Sequence, residues 1–95
     1  MKDKVFSIRF AAVDDVSTIL KFIKELASYE KLENEVVATE EILKEWIFEK
    51  KKAEVLIALE DDVPIGYALF FHNFSTFLGK AGIYLEDLYI RESFR

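Results

Sequence analysis

The sequence predicts an α+β fold, in which a mostly antiparallel sheet is combined with two N-terminal helices in the order β-α-α-β-β-β. Apolar residues recur at helical steps of three and four over residues 16–27 and again within residues 40–49. Short runs rich in branched and aromatic residues precede the first helix and follow the second. Two of the later runs are joined by a short acidic turn, which indicates a hairpin and therefore antiparallel pairing.

The bulk composition is that of a single globular unit. The 95 residues are 52% hydrophobic, enough for one core and too few for two domains, so residues 1–95 are interpreted as one domain or part of one. Thirteen basic and 18 acidic residues give a net charge of −5, which argues against nucleic-acid binding and suits either a cationic partner or simple solubility. The absence of cysteine excludes disulfides, thiolate catalysis and cysteine metal sites.

The sequence also argues against export and membrane insertion. No apolar run is long enough to cross a bilayer, and charges interrupt residues 1–9 where a secretion signal needs an apolar region. We therefore expect a cytoplasmic protein with no membrane partner.

The first predicted elements are a strand and an amphipathic helix. Residues 5–10 alternate loosely between apolar and polar side chains, and Asp14 or Asp15 then offers a helix N-cap. The helix predicted over residues 16–27 has one apolar stripe, which core packing explains better than a partner helix in so small a chain. The stripe comprises Val16, Ile19, Leu20, Ile23, Leu26 and Ala27.

A charged loop is predicted after this helix. Residues 29–35 lose the helical period and place three glutamates, Glu30, Glu33 and Glu35, close to Tyr29. Carboxylates pair with ammonium groups, and a tyrosine ring adds a cation–π contact of about 0.5–2 kcal/mol. The loop suits a polyamine, although exposed charge clusters more often interact only with water.

A second helix is predicted from residue 40 to about residue 49, with Thr39 as its N-cap and acidic residues in its first turn. Three lysines at residues 50–52 complement its dipole and make too weak a basic footprint to indicate nucleic-acid binding. Its expected buried side comprises Ile42, Leu43, Trp46 and Ile47.

Two buried strands are predicted next, over residues 55–59 and 65–71, with residues 60–62 as the turn between them. His72 follows the second strand, and its lack of companion ligands favours a structural role over a catalytic or metal-binding one. Residues 73–80 are expected to form an aromatic loop, which either lines a substrate wall or caps the core.

The last predicted strand, residues 81–90, carries two adjacent carboxylates among strand-forming residues. Successive strand side chains face opposite ways, so Glu86 and Asp87 are expected on opposite faces. The expected groups are Glu86 with Tyr84, Leu88 and Ile90, and Asp87 with Leu85 and Tyr89. A carboxylate on an apolar face needs partners or a raised pKa and is a site candidate, whereas on an edge strand it is simply solvated.

Two segments in the correct order resemble one enzyme family. Tyr-Leu-Glu-Asp-Leu-Tyr-Ile at residues 84–90, closed by Phe94 and Arg95, resembles the fourth strand of the GNAT acetyltransferase superfamily just before its acetyl-CoA loop. Ile-Lys-Glu-Leu-Ala-Ser-Tyr-Glu at residues 23–30 is similar to the first helix and loop of the spermidine/spermine (diamine) acetyltransferase branch. The resemblance covers nearly the whole chain and implies the three-layer α/β GNAT fold, with its C-terminal half absent.

Acetyl transfer to an amine needs a neutral amine, a polarised thioester carbonyl and a proton for the departing thiolate. By resemblance, Glu86 is the catalytic residue that holds water near the substrate amine. The resemblance implies that the acetyl-CoA site is formed by backbone N–H groups of Leu88, Tyr89 and Ile90, with Arg95. No metal is expected.

The resemblance also implies an amine site. Tyr29 and Glu30 match the residues that receive the distal ammonium of a diamine, polyamine or lysine-like substrate, and Glu33 is a nearby candidate. Asp87 either supports the fold or binds the cationic substrate. Phe77 stands where diamine acetyltransferases often have tryptophan, and Phe10 replaces a proline common in the family, so the particular amine stays open.

The family's glycine-rich pyrophosphate loop and its proton-donating tyrosine follow the point that Arg95 occupies. We therefore expect these 95 residues alone to bind acetyl-CoA poorly and to turn over little. A homodimer is expected, because family members are typically dimeric and the last strand has an apolar edge. Two alternatives stay open, a GNAT enzyme acting on amino acids or protein lysines and a non-catalytic module that retains the amine pocket or the dimer surface.

Overall fold

Four strands form one antiparallel sheet in the order β1-β2-β3-β4, and two helices cover one of its faces. The computed structural model describes residues 3–95, so the first two residues of the segment considered as an export signal lie outside it. The elements are β1 (Phe6–Phe10), α1 (Val16–Tyr29), α2 (Glu40–Leu43), β2 (Glu54–Glu60), β3 (Val63–Ser75) and β4 (Lys80–Ile90). The predicted element order and fold class are confirmed. None of the helices within residues 3–95 combines the length and apolarity that crossing a membrane requires.

The α1 helix packs against the sheet with Val16 and Ile19 of the predicted stripe buried, together with Phe22, which the predicted stripe did not include. Leu20, Ile23 and Leu26 of the stripe are partly buried against the same core. Asp15 takes the N-cap position of α1, as one of the two predicted residues, but its side chain makes no capping hydrogen bond to the helix, which follows a short 3₁₀ turn over Val13–Asp15. Asp15 instead accepts a hydrogen bond from the Ala12 N–H at 2.7 Å and pairs with Arg9 at 2.7 and 3.0 Å. The aspartate therefore fastens β1 to the start of the helical layer.

The second helical segment is shorter and more distorted than predicted. Thr39 caps it as expected, accepting from the Ile42 N–H at 3.2 Å. After Leu43 the chain continues as a π-helix over Lys44–Glu49, so the expected buried side is only half correct. Leu43 and Ile47 are buried, whereas Ile42 and Trp46 are 41% and 45% exposed. Trp46 lies in the π-helix, whose wider turn rotates its side chain away from the α-helical position.

The β2–β3 connection is a two-residue turn at Asp61 and Asp62, both with positive φ, as the primed hairpin turns require. Glu60, predicted in the turn, belongs to β2. β3 and β4 are longer than expected: residues 73–75 and Lys80 extend the strands, leaving a four-residue turn in place of the predicted aromatic loop. β2 begins at Glu54, which pairs with Phe70 of β3. The part of the β3–β4 hairpin beyond this pair, residues 71–84, therefore has no β2 neighbour.

Aromatic rings fill the core between α1 and the sheet. The Phe22 ring stacks on Tyr67 at 5.9 Å between centroids and lies 6.1 Å from Tyr89. Tyr67 and Tyr89 are cross-strand partners on β3 and β4. Their hydroxyl groups need hydrogen-bond partners at the core boundary, and these partners mark the candidate site described below.

The second face of the sheet carries apolar side chains that nothing in residues 3–95 covers. Phe6, Ile8 and Phe10 of β1 are each at least 63% exposed, and Leu88 of β4 is 65% exposed. The pairing register places Phe10, Leu56, Ala68 and Leu88 in one row across all four strands. The described chain thus contains one helical layer and the sheet.

Candidate functional site

The C-terminal end of β4 presents an open backbone edge. The Arg91 N–H donates to the Ile65 carbonyl on β3 at 2.8 Å. Because antiparallel residues alternate in the direction of their hydrogen bonds, the N–H groups of Leu88 and Ile90 point away from β3, whereas that of Tyr89 points toward it. The Ile90 carbonyl on this outer side accepts from Arg95 Nε at 2.7 Å. Two of the three predicted backbone donors therefore lie on the open edge.

A β-bulge sits immediately before this edge. Leu69 pairs with Asp87 and Phe70 with Leu85, so Glu86 is an extra residue without a cross-strand partner. The bulge exchanges the faces of the preceding side chains, and the Tyr84 ring consequently stacks on Phe71 at 5.1 Å. The predicted grouping of Tyr84 with Leu88 and Ile90, and of Leu85 with Asp87, is therefore wrong, whereas Asp87 does share a face with Tyr89.

Asp87 is half-buried and lies at one side of a groove between the C-terminal half of α1, the following loop and β4. The groove has a volume of about 170 Å³. Its lining combines three carboxylates with apolar walls, namely Glu30, Glu35 and Asp87 with Ile23, Leu26, Ala27, Leu32 and Val36. This composition suits a ligand with a cationic end and an aliphatic chain.

Tyr67 lies beneath this groove and donates its hydroxyl to Asp87 Oδ2 at 2.8 Å. Burial raises the pKa of Tyr67 far above that of an ordinary phenol, and the nearby carboxylates of Asp87 and Glu30 raise it further. The phenol therefore stays protonated and acts as the hydrogen-bond donor to Asp87 throughout the physiological range.

A second tyrosine hydroxyl belongs to a cluster that joins α1 to the end of β4. Tyr89 donates to Glu25 Oε1 at 3.0 Å, and Arg91 donates to both oxygens of Glu25 at 3.0 and 2.9 Å. Hydrogen bonding from Arg91 holds the pKa of Glu25 below its ordinary value. The three side chains fix the strand end that bears the open edge.

Arg95 covers the neighbouring aromatic surface. Its guanidinium lies 4.8 Å from the centroid of the Tyr29 ring and 5.7 Å from that of Tyr89. Tyr29, predicted to receive a substrate ammonium, thus already faces a cation in this conformation and is not among the residues that line the groove.

The other predicted site residues are distributed unevenly. Glu30 and Asp87 meet in the groove, whereas Glu33 lies in the adjoining 3₁₀ turn (Glu33–Glu35) and Glu35 takes the lining position. Glu86 is exposed at the bulge. Phe77 is fully exposed at the tip of the β3–β4 hairpin. Strand rise alone puts that tip about 20 Å from the Asp87 pairing position.

Several residues at the site carry no signal in the local sequence. Glu25 and Arg91 are separated by 66 positions and Tyr67 and Asp87 by 20, so no local pattern signals either contact. The loop containing Glu35 was identified as acidic, but the spacing did not distinguish its position from that of Glu33. His72 lies 2.9 Å from Glu54 in an exposed pair away from the groove. Residues 3–95 contain no grouping of acidic, histidine and cysteine side chains suited to a metal ion.

Comparison with known proteins identifies the family. The sequence model described as the Acetyltransferase (GNAT) family matches residues 19–95, which contain the groove, the bulge and the open edge. The chain belongs to the GNAT family. The family predicted from residues 23–30 and 84–90 is thus confirmed.

Relatives of this GNAT chain include amine acetyltransferases. A thialysine N-epsilon-acetyltransferase from Caenorhabditis elegans is 38% identical over 92 residues, which are 97% of this chain and 56% of that protein. A spermidine/spermine N(1)-acetyltransferase-like protein 1 from Homo sapiens is 29% identical over 98 residues, covering 95% of this chain and 14% of that protein. The chain therefore spans little more than half the length of the first of these relatives.

Solved structures share the fold of the GNAT chain. A predicted acetyltransferase from Clostridium acetobutylicum, determined with acetyl-CoA, superposes with a TM-score of 0.76 at 18% identity over 96% of this chain and 63% of that one. At such identity the likeness establishes the fold. The open-edge N–H groups of Leu88 and Ile90 are donors of the kind that an acyl carbonyl or an amide-containing arm requires, so this edge fits acetyl-CoA.

Proposed function

We propose that the protein to which these residues belong transfers an acetyl group from acetyl-CoA to a primary amine of a diamine, polyamine or lysine-like small molecule. The observation that carries the proposal is the joining, along consecutive residues of β4, of an acidic groove at Asp87 to an open backbone edge at Leu88 and Ile90. One part suits a cationic acceptor and the other suits an acyl donor. Family membership supports the same reaction.

The acceptor is proposed from the chemistry of the groove. Glu30, Glu35 and Asp87 supply carboxylates for ammonium groups, and the apolar walls accommodate a methylene chain. The net charge of −5 also favours the approach of a cation. The name of the nematode relative gives the ε-amine of thialysine as its acceptor, which supports a lysine-like substrate, and the name of the human relative supports a polyamine.

The reaction assigns distinct tasks to the residues of β4. Acetyl-CoA supplies the acetyl group as a thioester. Glu86 removes a proton from the ammonium, directly or through a water, so that the amine nitrogen can attack. The N–H groups of Leu88 and Ile90 stabilise the carbonyl oxygen as it gains negative charge while the C–N bond forms and the C–S bond breaks. Coenzyme A leaves as a thiolate and becomes the free thiol by taking up a proton, which balances the proton that the amine nitrogen loses on forming the amide. Asp87 and Glu30 orient the cationic substrate.

The remaining predicted residues have peripheral parts in this proposal. Arg95 donates a hydrogen bond to the Ile90 carbonyl at the open edge. Together with the backbone of Tyr89, it flanks the bound acetyl-CoA. Tyr29 contributes to the aromatic surface under Arg95. Glu33 and Phe77 lie outside the groove, and their roles in substrate binding stay predictions.

A homodimer in the cytoplasm completes the proposal. The uncovered face of the sheet is an apolar surface that a second chain could bury without covering the open edge at Leu88 and Ile90. A cytoplasmic location suits an enzyme that uses acetyl-CoA. Sedimentation velocity over a hundredfold range of concentration tests the dimer, and a monomer throughout that range would contradict it.

The function is tested by incubating the protein with acetyl-CoA and a panel of amines while thiol release is followed. Putrescine, spermidine, lysine and thialysine represent the proposed acceptors. We expect saturable thiol release that depends on the amine, and Glu30→Gln should raise the KM for the amine by about tenfold through loss of one charged contact. Glu49→Gln is a matched control, because it removes the same charge from an exposed position on the π-helix.

Binding measurements separate this proposal from a non-catalytic amine-binding module. Calorimetric titration of spermidine should give tighter binding when acetyl-CoA is present if the two sites cooperate in one reaction. An amine affinity that acetyl-CoA does not change, together with no thiol release, would favour the non-catalytic amine-binding module. Equal effects of Glu30→Gln and Glu49→Gln would exclude the groove as the acceptor site.

A further inference from the structure

Within residues 3–95, the buried Tyr67 hydroxyl has a single side-chain partner, and that partner is a residue of the groove. Tyr67 is 1% exposed, and its ring is stacked in the core against Phe22. A phenylalanine would fill the same space without the need to satisfy a polar atom. Burial of a hydroxyl costs stability unless it is hydrogen-bonded, and here that bond is made to Asp87 at 2.8 Å.

The hydrogen bond fixes how Asp87 meets the groove. Asp87 follows the bulge directly, where the chain is least constrained by cross-strand pairing. The Tyr67 hydroxyl holds Oδ2 from below, and Oδ1 makes no side-chain hydrogen bond within residues 3–95. Since an ionised carboxylate has about four acceptor positions, most of its hydrogen-bonding capacity stays free for a ligand in the groove.

We propose that Tyr67 is a positioning residue for the amine acceptor: it holds Asp87 in one orientation, as an acceptor-only carboxylate directed to a substrate ammonium. This inference rests on the proposed acetyltransferase function and adds to it a residue that contacts no substrate. It also narrows the range of substrates that can accept the acetyl group. A carboxylate held in this way favours a cationic group that donates hydrogen bonds and disfavours an anionic or aprotic group at the same place.

The Tyr67 hydroxyl is expected to affect the binding of the amine and not the binding of acetyl-CoA at the open edge of β4. Asp87 lines the acidic groove together with Glu30 and Glu35. The open edge is instead fixed by the hydrogen bonds that Tyr89 and Arg91 donate to Glu25. Loss of the Tyr67 hydroxyl should therefore weaken amine binding and leave the affinity for acetyl-CoA unchanged.

The test is Tyr67→Phe, which keeps the ring in the core, in the protein assayed with spermidine and lysine as acceptors. We expect the amine KM to rise about tenfold, kcat to change less than threefold, and the KM for acetyl-CoA to stay constant. Tyr84→Phe is the matched control, because it removes the same atom from a half-exposed ring on β4 that makes no side-chain hydrogen bond within residues 3–95. Tyr84→Phe should leave all three constants unchanged.

A double-mutant cycle with Asp87→Asn shows whether the hydroxyl acts through Asp87. Asp87→Asn should itself raise the amine KM, and adding Tyr67→Phe in that background should change it less than twofold. An undiminished effect of Tyr67→Phe in the Asp87→Asn background would overturn the inference, as would an unchanged amine KM in Tyr67→Phe alone.

If the proposed acetyltransferase function is wrong, the outcome can be told apart from a wrong role for Tyr67. In that case the wild-type protein releases no thiol with any amine, and calorimetric titration of spermidine into wild type, Tyr67→Phe and Tyr84→Phe tests the positioning role by binding alone. A tenfold weaker binding by Tyr67→Phe only would support the role of Tyr67, and equal affinities would refute it.

Discussion

Glu25→Gln should destabilise the protein by about 2 kcal/mol. Three hydrogen bonds converge on the Glu25 carboxylate, one from Tyr89 and two from Arg91. A hydrogen bond to a charged group contributes about 1.5–3 kcal/mol, but the side chains of Glu25 and Arg91 are 28% and 29% exposed, so water screens the pair. Glutamine retains one acceptor, which further reduces the loss. For a domain of this size the change corresponds to a fall in Tm of about 8–16 °C.

The contribution of Glu25 should depend on pH in a defined direction. Hydrogen bonding from Arg91 lowers the pKa of Glu25 in the folded state below that of the unfolded chain. Its stabilising effect is therefore fully present above the unfolded-state pKa of about 4.3 and is lost as the pH falls through the lower, folded-state value. The difference in stability between wild type and Glu25→Gln should be constant from pH 8 to pH 6 and should shrink below about pH 4.5.

Urea unfolding followed by circular dichroism measures both effects. Glu49→Gln serves as the control, because it removes a charge that forms no ion pair within the described residues. A loss below about 0.5 kcal/mol at pH 7 would show that the cluster contributes no more than an ordinary surface ion pair. A difference that grew on acidification would contradict the sign derived from the lowered pKa of Glu25.

Three further predictions concern the reaction and the hairpins. Glu86→Gln should lower kcat by at least about a hundredfold with little change in the amine KM, because it keeps the side-chain shape and removes the base; an unchanged kcat in steady-state thiol-release assays would exclude Glu86 as the base. Phe77→Ala should leave the free energy of urea unfolding unchanged, because the ring is fully exposed, and a raised amine KM would show that this residue reaches the substrate in the assembled enzyme. Asp62→Gly should stabilise the protein by about 1 kcal/mol, because Asp62 has φ 67° in the β2–β3 turn, and thermal unfolding would reveal the expected rise in Tm.

Much of the fold was predictable because its determinants are local. The apolar stripe of α1 and the Thr39 cap are set by residues a few positions apart, and the structure contains both. The acidic turn at Asp61 and Asp62 likewise depends on adjacent residues. The π-helical turns after Leu43 were missed because the 3.6-residue pattern of residues 40–49 is compatible with an ordinary helix.

The candidate site was predictable in its residue types and less so in its geometry. Glu30 and Asp87 were identified in sequence as candidate ligands of an amine, and the structure brings them to one groove. The bulge at Glu86 arises from the register between β3 and β4, which strict alternation along one strand cannot reveal. The partner of Asp87 was missed for the same reason, since Tyr67 reaches it only through that register.

The strand order has a consequence for how the protein folds. β2, β3 and β4 follow one another as hairpins, whereas Phe10 of β1 pairs with Leu56 of β2 across 45 intervening residues that include both helices. Closing so long a loop costs more entropy than closing a hairpin turn, so the β2–β3–β4 meander can form early and β1 is added late. During synthesis, β1 must wait until residue 60 has been made before it can pair along its whole length with β2. Until then the backbone N–H and C=O groups of Phe6–Phe10 have no strand to pair with, which makes β1 a segment that a chaperone can bind.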